Sequence, residues 1–162
     1  MTRELPHVGW REWVSLPGLG VPHIKAKIDT GARSSALHAF DIEIVRRGAT
    51  SYVRFVLHPI QRSLGPTISA EAPLLGERQI RSSNGLVSLR PVIRTPVEIL
   101  GERREVELTL VPRDEMGFRM LLGRQAIRDR FLVDPGRSYV GGRPSRKKRK
   151  GVRPPKPPHI QR

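Results

Sequence analysis

Apolar and polar residues alternate with a period of two along much of residues 1 to 140, a pattern that predicts short β-strands rather than helices. The clearest case is His23 to Ile28. Ile24, Ala26 and Ile28 fall on one face there, and Lys25 and Lys27 on the other. Trp10 to Leu16 alternates more loosely and is closed by Pro17-Gly18, a turn signal. Ile42 to Val45 and Tyr52 to Leu57 predict a hairpin with Arg46-Arg47-Gly48 near its turn, and Val53, Phe55 and Leu57 share a face. Pro59 to Gly76, with three prolines and two glycines, reads as an irregular excursion. Gln79 to Ser82 and Leu86 to Arg90 flank Ser83-Asn84-Gly85, whose Asn-Gly pair suits the positive φ angles of a tight turn.

Val92 to Leu100 and Arg104 to Val111 predict a second hairpin around Gly101-Glu102, with Val106, Leu108 and Leu110 on one face. Gln125 to Arg130 is the best short helix, and Phe131 to Asp134 and Ser138 to Val140 are strand candidates around Pro135-Gly136. The fold class is therefore mainly β, with one short helix near the end of the folded part.

Charge divides the chain in two. Lys and Arg number 30 against 15 Asp and Glu, a formal net charge of +15. Residues 141–162 hold nine of the basic residues, no acid and five prolines, which leaves a net of +6 on residues 1–140. A segment of that composition cannot bury enough apolar surface to fold. The expected organisation is one domain over 1–140 and a disordered Lys/Arg/Pro-rich tail over 141–162. Within the tail, Arg146-Lys147-Lys148-Arg149-Lys150 reads either as a solubilising extension or as a salt-dependent anchor for RNA or the ribosome. The run has no interleaved aromatics, which argues against base stacking.

There is no cysteine, which excludes disulfides, thiolate metal sites and cysteine nucleophiles. The N-terminus lacks an apolar signal-peptide core, and no apolar run is long enough to span a bilayer. The expectation is a cytoplasmic protein with no membrane contact.

The candidate chemistry is Asp29-Thr30-Gly31-Ala32, placed directly after the alternating strand. A carboxylate followed by a small residue and a glycine can sit on a tight loop that another backbone approaches closely. Such a loop can meet its own copy across a two-fold axis. Two carboxylates brought that close share a proton, so one serves as base toward a water while the other serves as acid. The sequence contains one Asp-Thr-Gly, so a second chain must supply the second carboxylate.

Alone, the triplet is a common polar turn. Met120-Leu121-Leu122-Gly123-Arg124, some ninety residues on and followed by the short helix, changes that balance. With Ala26 to Ala39, Leu86 to Ile93, Met120 to Ala126 and Phe131 to Pro135, the chain resembles the retropepsin-like aspartic peptidases over about residues 7 to 140. More closely it resembles a bacterial group often labelled "ATP-dependent zinc protease", found in some genomes beside glutamate ligases that modify ribosomal proteins.

The resemblance implies a closed β-barrel or sandwich protomer, a homodimer, a peptide or protein substrate, and aspartic endopeptidase activity with no cofactor. Asp29 would be catalytic, and Thr30 would brace two active-site loops across the dimer axis. Leu121, Leu122 and Gly123 would pack behind the loop, and Arg124 would make a polar contact that helps hold the dimer. Ser82, Ser83, Asn84 and Gly85 fall where such enzymes place the flap over substrate, although Pro59 to Gly76 could form part of the lid instead. Arg33 departs from the pattern of many retroviral members, which have an acidic residue there; an arginine fits the closer bacterial group, and its changed local field would either favour the ionised carboxylates or select acidic substrates. The alternative is a non-catalytic peptide-binding module on the same fold, with the tail on RNA or the ribosome.

The zinc and ATP of the group's label find no basis in the sequence. There is no His-Glu-x-x-His and no phosphate-binding glycine loop, since Gly18-Leu19-Gly20 leads into a strand. His38 and Asp41 are the nearest candidate ligands, and His38 reads more simply as a packed or hydrogen-bonded residue. No metal is predicted.

Overall fold

A computed structural model describes residues 4–60, 65–81, 84–112 and 117–144. The tail from residue 145 onward lies outside the described residues, as do Ser82 and Ser83 of the expected flap. Among the described residues eleven strands and one short helix follow in chain order: β1 (His7–Gly9), β2 (Arg11–Leu16), β3 (Val21–Ile28), β4 (Ser35–His38), β5 (Phe40–Arg47), β6 (Thr50–Leu57), β7 (Ile68–Arg81), β8 (Val87–Ile99), β9 (Glu102–Val111), β10 (Met120–Leu122), α1 (Arg124–Ile127) and β11 (Leu132–Asp134). A single 3₁₀ turn over Pro17–Leu19 joins β2 to β3. No helix among the described residues is long and apolar enough to cross a membrane.

Six strands close a barrel in the order β2-β3-β10-β4-β9-β8, and Ser15 of β2 pairs with Glu98 of β8 to complete the ring. Closure leaves these strands without open edges, and alternation points one face of each inward. Val14 and Leu16, Ile24 and Ile28, Leu108 and Leu110, and Met120 and Leu122 are all buried. Each such side chain contributes about 1.5–3 kcal/mol by leaving water. Beyond β8 the sheet continues as β7-β6-β5, and β1 pairs in parallel with β11 as a small separate sheet.

Several local expectations change. Pro59 to Gly76 is not irregular throughout, because β7 begins at Ile68. This strand pairs first with β6, as far as Tyr52↔Pro73, and then with β8 from Leu74↔Ile93. Pro73 stands where the partner changes, so the ladder loses least by its missing N–H. β8 runs unbroken through Pro91. The second hairpin turns on Leu100-Gly101 rather than Gly101-Glu102, with φ of 49° and 75° at the two turn residues. The helix is Arg124–Ile127, shorter than Gln125 to Arg130, because the backbone becomes extended at Arg128 and left-handed at Asp129. Ser138 to Val140 is not a strand; Tyr139 has φ of 54°, and the segment is held by the buried Glu12 carboxylate.

Candidate active site

The loop that carries Asp29 is built by non-local pairing. The three-residue strand β10 inserts between β3 and β4, parallel to the first (Leu122↔Ile28) and antiparallel to the second (Leu121↔Ala36). Both ends of the 29–34 loop are therefore held against one strand. The Asp29 N–H donates to the Leu122 carbonyl at 2.8 Å, and the Gly123 N–H donates to Ser35 Oγ at 3.0 Å. The Arg124 and Gln125 N–H groups donate to the Ala32 and Arg33 carbonyls at 2.8 and 3.0 Å. Gly123 is required by this approach, because a Cβ there would collide with the Ser34 carbonyl oxygen.

Asp29 is half-buried, and its Oδ1 accepts hydrogen bonds from the Gly31 N–H at 2.9 Å and the Ala32 N–H at 3.2 Å. Among the described residues Oδ2 receives none, so the carboxylate is oriented through one oxygen and open at the other. Thr30 and Gly31 form the exposed apex of the loop. The Arg124 guanidinium donates to the Thr30 carbonyl of the same chain at 3.0 Å, so this contact braces the loop within the protomer. Asp29, Thr30, Gly31, Ala32, Leu122, Gly123 and Arg124 thus come together as one constellation. Arg33 is exposed and does not line the cleft described next.

A cleft of about 530 Å³ lies between the outer face of the β3-β10-β4 sheet and the β7–β8 hairpin. Lys27, Leu121 and Ala36 form its floor, and Ile80, Ser88 and Arg90 its roof. Lys27 lies on β3, two residues before Asp29 in the chain, so the cleft begins close to the Asp29 loop. Asn84 also lines it, at the hairpin turn, and Gly85 there has φ of 82°. Among the described residues the roof comes from the β7–β8 hairpin and not from residues 59–60 or 65–76.

At the far end His38 and Arg119 are buried together. Arg119 Nη1 donates to His38 Nδ1 at 2.8 Å, which leaves Nε2 to carry the proton it donates to the Pro112 carbonyl at 3.1 Å. Both ring nitrogens are engaged, so His38 does not fit a zinc site. Among the described residues no three His, Cys, Asp or Glu side chains cluster as metal ligands.

A family model described as RimB-like, retropepsin-like aspartic endopeptidase RimB, matches residues 7–144. The chain belongs to the RimB-like family of retropepsin-like proteins. Two relatives named probable alpha-L-glutamate ligase, from Shewanella halifaxensis and Parasynechococcus marenigrum, are 46% identical over 135 and 142 residues, covering 83% and 88% of this chain. The chain spans 30% of the length of each of these relatives. A crystal structure of a Legionella pneumophila protein of unknown function superposes with a TM-score of 0.71 at 26% identity, covering 85% of this chain and 99% of that one. Membership of the family agrees with the fold expected from the Asp-Thr-Gly and Leu-Leu-Gly-Arg motifs.

Two groups of functional interest escaped the sequence reading. The sequence pattern does not distinguish Arg90 from its neighbours, and it places Lys27 simply on the outward face of its strand. Their shared cleft depends on how the β7–β8 hairpin folds back. Glu12 is fully buried, and it accepts hydrogen bonds from the Gly9, Val140 and Gly141 N–H groups at 2.7, 3.0 and 3.0 Å. The available signal was a carboxylate in phase with Val14 and Leu16 on the buried face of β2.

Proposed function

We propose that the protein is an aspartic endopeptidase that works as a homodimer, with Asp29 from each of two chains forming one dyad. The observation that carries this reading is the Asp29 carboxylate itself: Oδ1 is fixed by two backbone N–H groups, Oδ2 receives no hydrogen bond among the described residues, and a cleft of about 530 Å³ starts at Lys27, two residues before it in the chain. Two such carboxylates facing each other hold one proton between them. The ionised member takes a proton from a water, and the water oxygen attacks the scissile carbonyl carbon. The protonated member gives its proton to the carbonyl oxygen, forming a neutral tetrahedral diol. Collapse of the diol breaks the C–N bond, and the amine leaves with the proton first taken from water. No covalent enzyme intermediate is needed.

The preferred substrate is an acidic peptide segment. Four cationic residues, Lys27, Arg81, Arg90 and Arg119, line the cleft, and no described residue lining it carries a carboxylate. Relatives named glutamate ligases carry a stretch like this chain within their length, so glutamate-bearing segments are a chemically matched substrate. On this reading the basic tail adds attraction for a polyanionic partner such as RNA or the ribosome.

The test is cleavage of a peptide library by wild type and Asp29→Asn, with the dimer verified for each by sedimentation. Cleavage of acidic peptides by wild type alone supports the proposal. A folded wild-type dimer that binds peptides and cleaves none would make the protein a peptide-binding module.

A further inference from the structure

We propose that Lys27 and Arg90 form a two-point clamp that takes the carboxylates of two consecutive acidic residues of the substrate. This rests on the endopeptidase reading above and gives its specificity a residue-level basis.

Both side chains are half-buried in the cleft, Lys27 on the floor and Arg90 on the roof. Among the described residues neither makes a hydrogen bond or an ion pair. The contrast is Arg78, which lies opposite Arg90 in the β7–β8 register. Arg78 donates to Thr109 Oγ1 at 3.1 Å and stands 3.7 Å from Glu107, so its charge is compensated inside the protein. Arg119 is likewise committed, by its contact with His38. Arg81 is exposed at the hairpin's end and remains well solvated. Lys27 and Arg90 are thus the two half-buried cleft cations that have no hydrogen bond or ion pair among the described residues. A half-buried charge in that state is stabilised by an anion that enters with a ligand.

Their placement on opposite walls fixes the arrangement of the ligand. A peptide bound in extended form sends successive side chains to opposite faces. One acidic residue then faces Lys27 on the floor, and its neighbour faces Arg90 on the roof. Because Lys27 lies on β3 two residues before Asp29 in the chain, this pair falls beside the scissile bond. The clamp reads a doublet of acids, which distinguishes it from general attraction of the basic surface for any anionic chain.

The experiment uses the full chain and four otherwise identical fluorescent peptides with Glu-Glu, Glu-Ala, Ala-Glu or Ala-Ala at the central positions. Cleavage gives kcat/KM and anisotropy gives binding. For wild type each Glu removed should lower kcat/KM about tenfold. Lys27→Gln should abolish the dependence on one position only, and Arg90→Gln on the other. Arg90→Glu, assayed with a further peptide carrying Lys in place of Glu at its own position, should prefer that Lys, a gain that misfolding cannot produce. Wild-type cleavage that is indifferent to the doublet, or variants that slow all four peptides equally, would overturn the clamp and leave the peptidase standing. Glu-Glu binding that depends on both residues, with no cleavage, would support the clamp and sink the peptidase. Neither cleavage nor binding of any peptide would remove both.

Discussion

The Arg124 guanidinium donates to the Thr30 carbonyl at 3.0 Å, across 94 residues of sequence, and ties the apex of the Asp29 loop to the start of α1. The same arginine's backbone N–H donates to Ala32, so one residue holds both sides of the loop. Replacing it by methionine keeps the backbone bond and removes the side-chain one. Arg124→Met should cost about 1 kcal/mol in stability, because the contact is exposed. Its larger effect should be on kcat, which falls about tenfold to a hundredfold as the carboxylate is misplaced, with KM little changed. Denaturant unfolding and steady-state kinetics on one substrate separate the two.

Gly123 should tolerate no side chain. Its position against the Ser34 carbonyl means that Gly123→Ala must push β10 away from the 29–34 loop. The expected cost is about 1–3 kcal/mol, as for other overpacked sites. A thermal melt unchanged from wild type would show that the loop yields freely.

Glu12 pins the chain after β11 to the barrel through the Val140 and Gly141 N–H groups, and it also holds the Gly9 N–H of β1. Glu12→Ala leaves the buried Gly9 donor and the part-buried Val140 and Gly141 donors without their acceptor, at a cost of about 2–3 kcal/mol. The segment around Ser138 to Gly141 should become susceptible to limited proteolysis before the barrel unfolds. Equal protease resistance in the variant would mean that other contacts hold the segment.

How much of this was legible in the sequence depends on the range of the interactions. Alternation placed Ile24, Ala26 and Ile28 in the core and Lys27 outside, because the period of a strand is local. Asn84-Gly85 marked its hairpin for the same reason. β4 and β10 carry too few residues for any pattern to register, and they form because each is paired on both sides. Proline density misled the reading of residues 59–76, since a strand that changes partners has a place where Pro73 does no harm. The Asp29 loop was found by motif, whereas the Lys27–Arg90 cleft exists only once the β7–β8 hairpin lies over the sheet.

On the outer sheet Glu71 is held below the usual carboxylate range, first by the hydrogen bond from Arg54 and then by that from Arg47. The group's ordinary value is 4.5, and a depressed folded value means that its contribution to stability is present above that pH. It is lost as pH falls through the lower, folded value. An NMR titration should therefore place the Glu71 midpoint below 4.5, and Arg54→Gln should move it back up. A wild-type midpoint at the ordinary value would show that the pairs are too well solvated to matter.

The shared dyad is tested most directly by subunit mixing. Wild-type and Asp29→Asn chains are co-refolded at varied ratios and constant total concentration, and peptide cleavage is measured with the dimer fraction verified at each ratio. If each site needs one Asp29 from each chain, activity follows the square of the wild-type fraction. Activity that falls linearly with the wild-type fraction would mean that each chain acts alone, and that result would contradict the account.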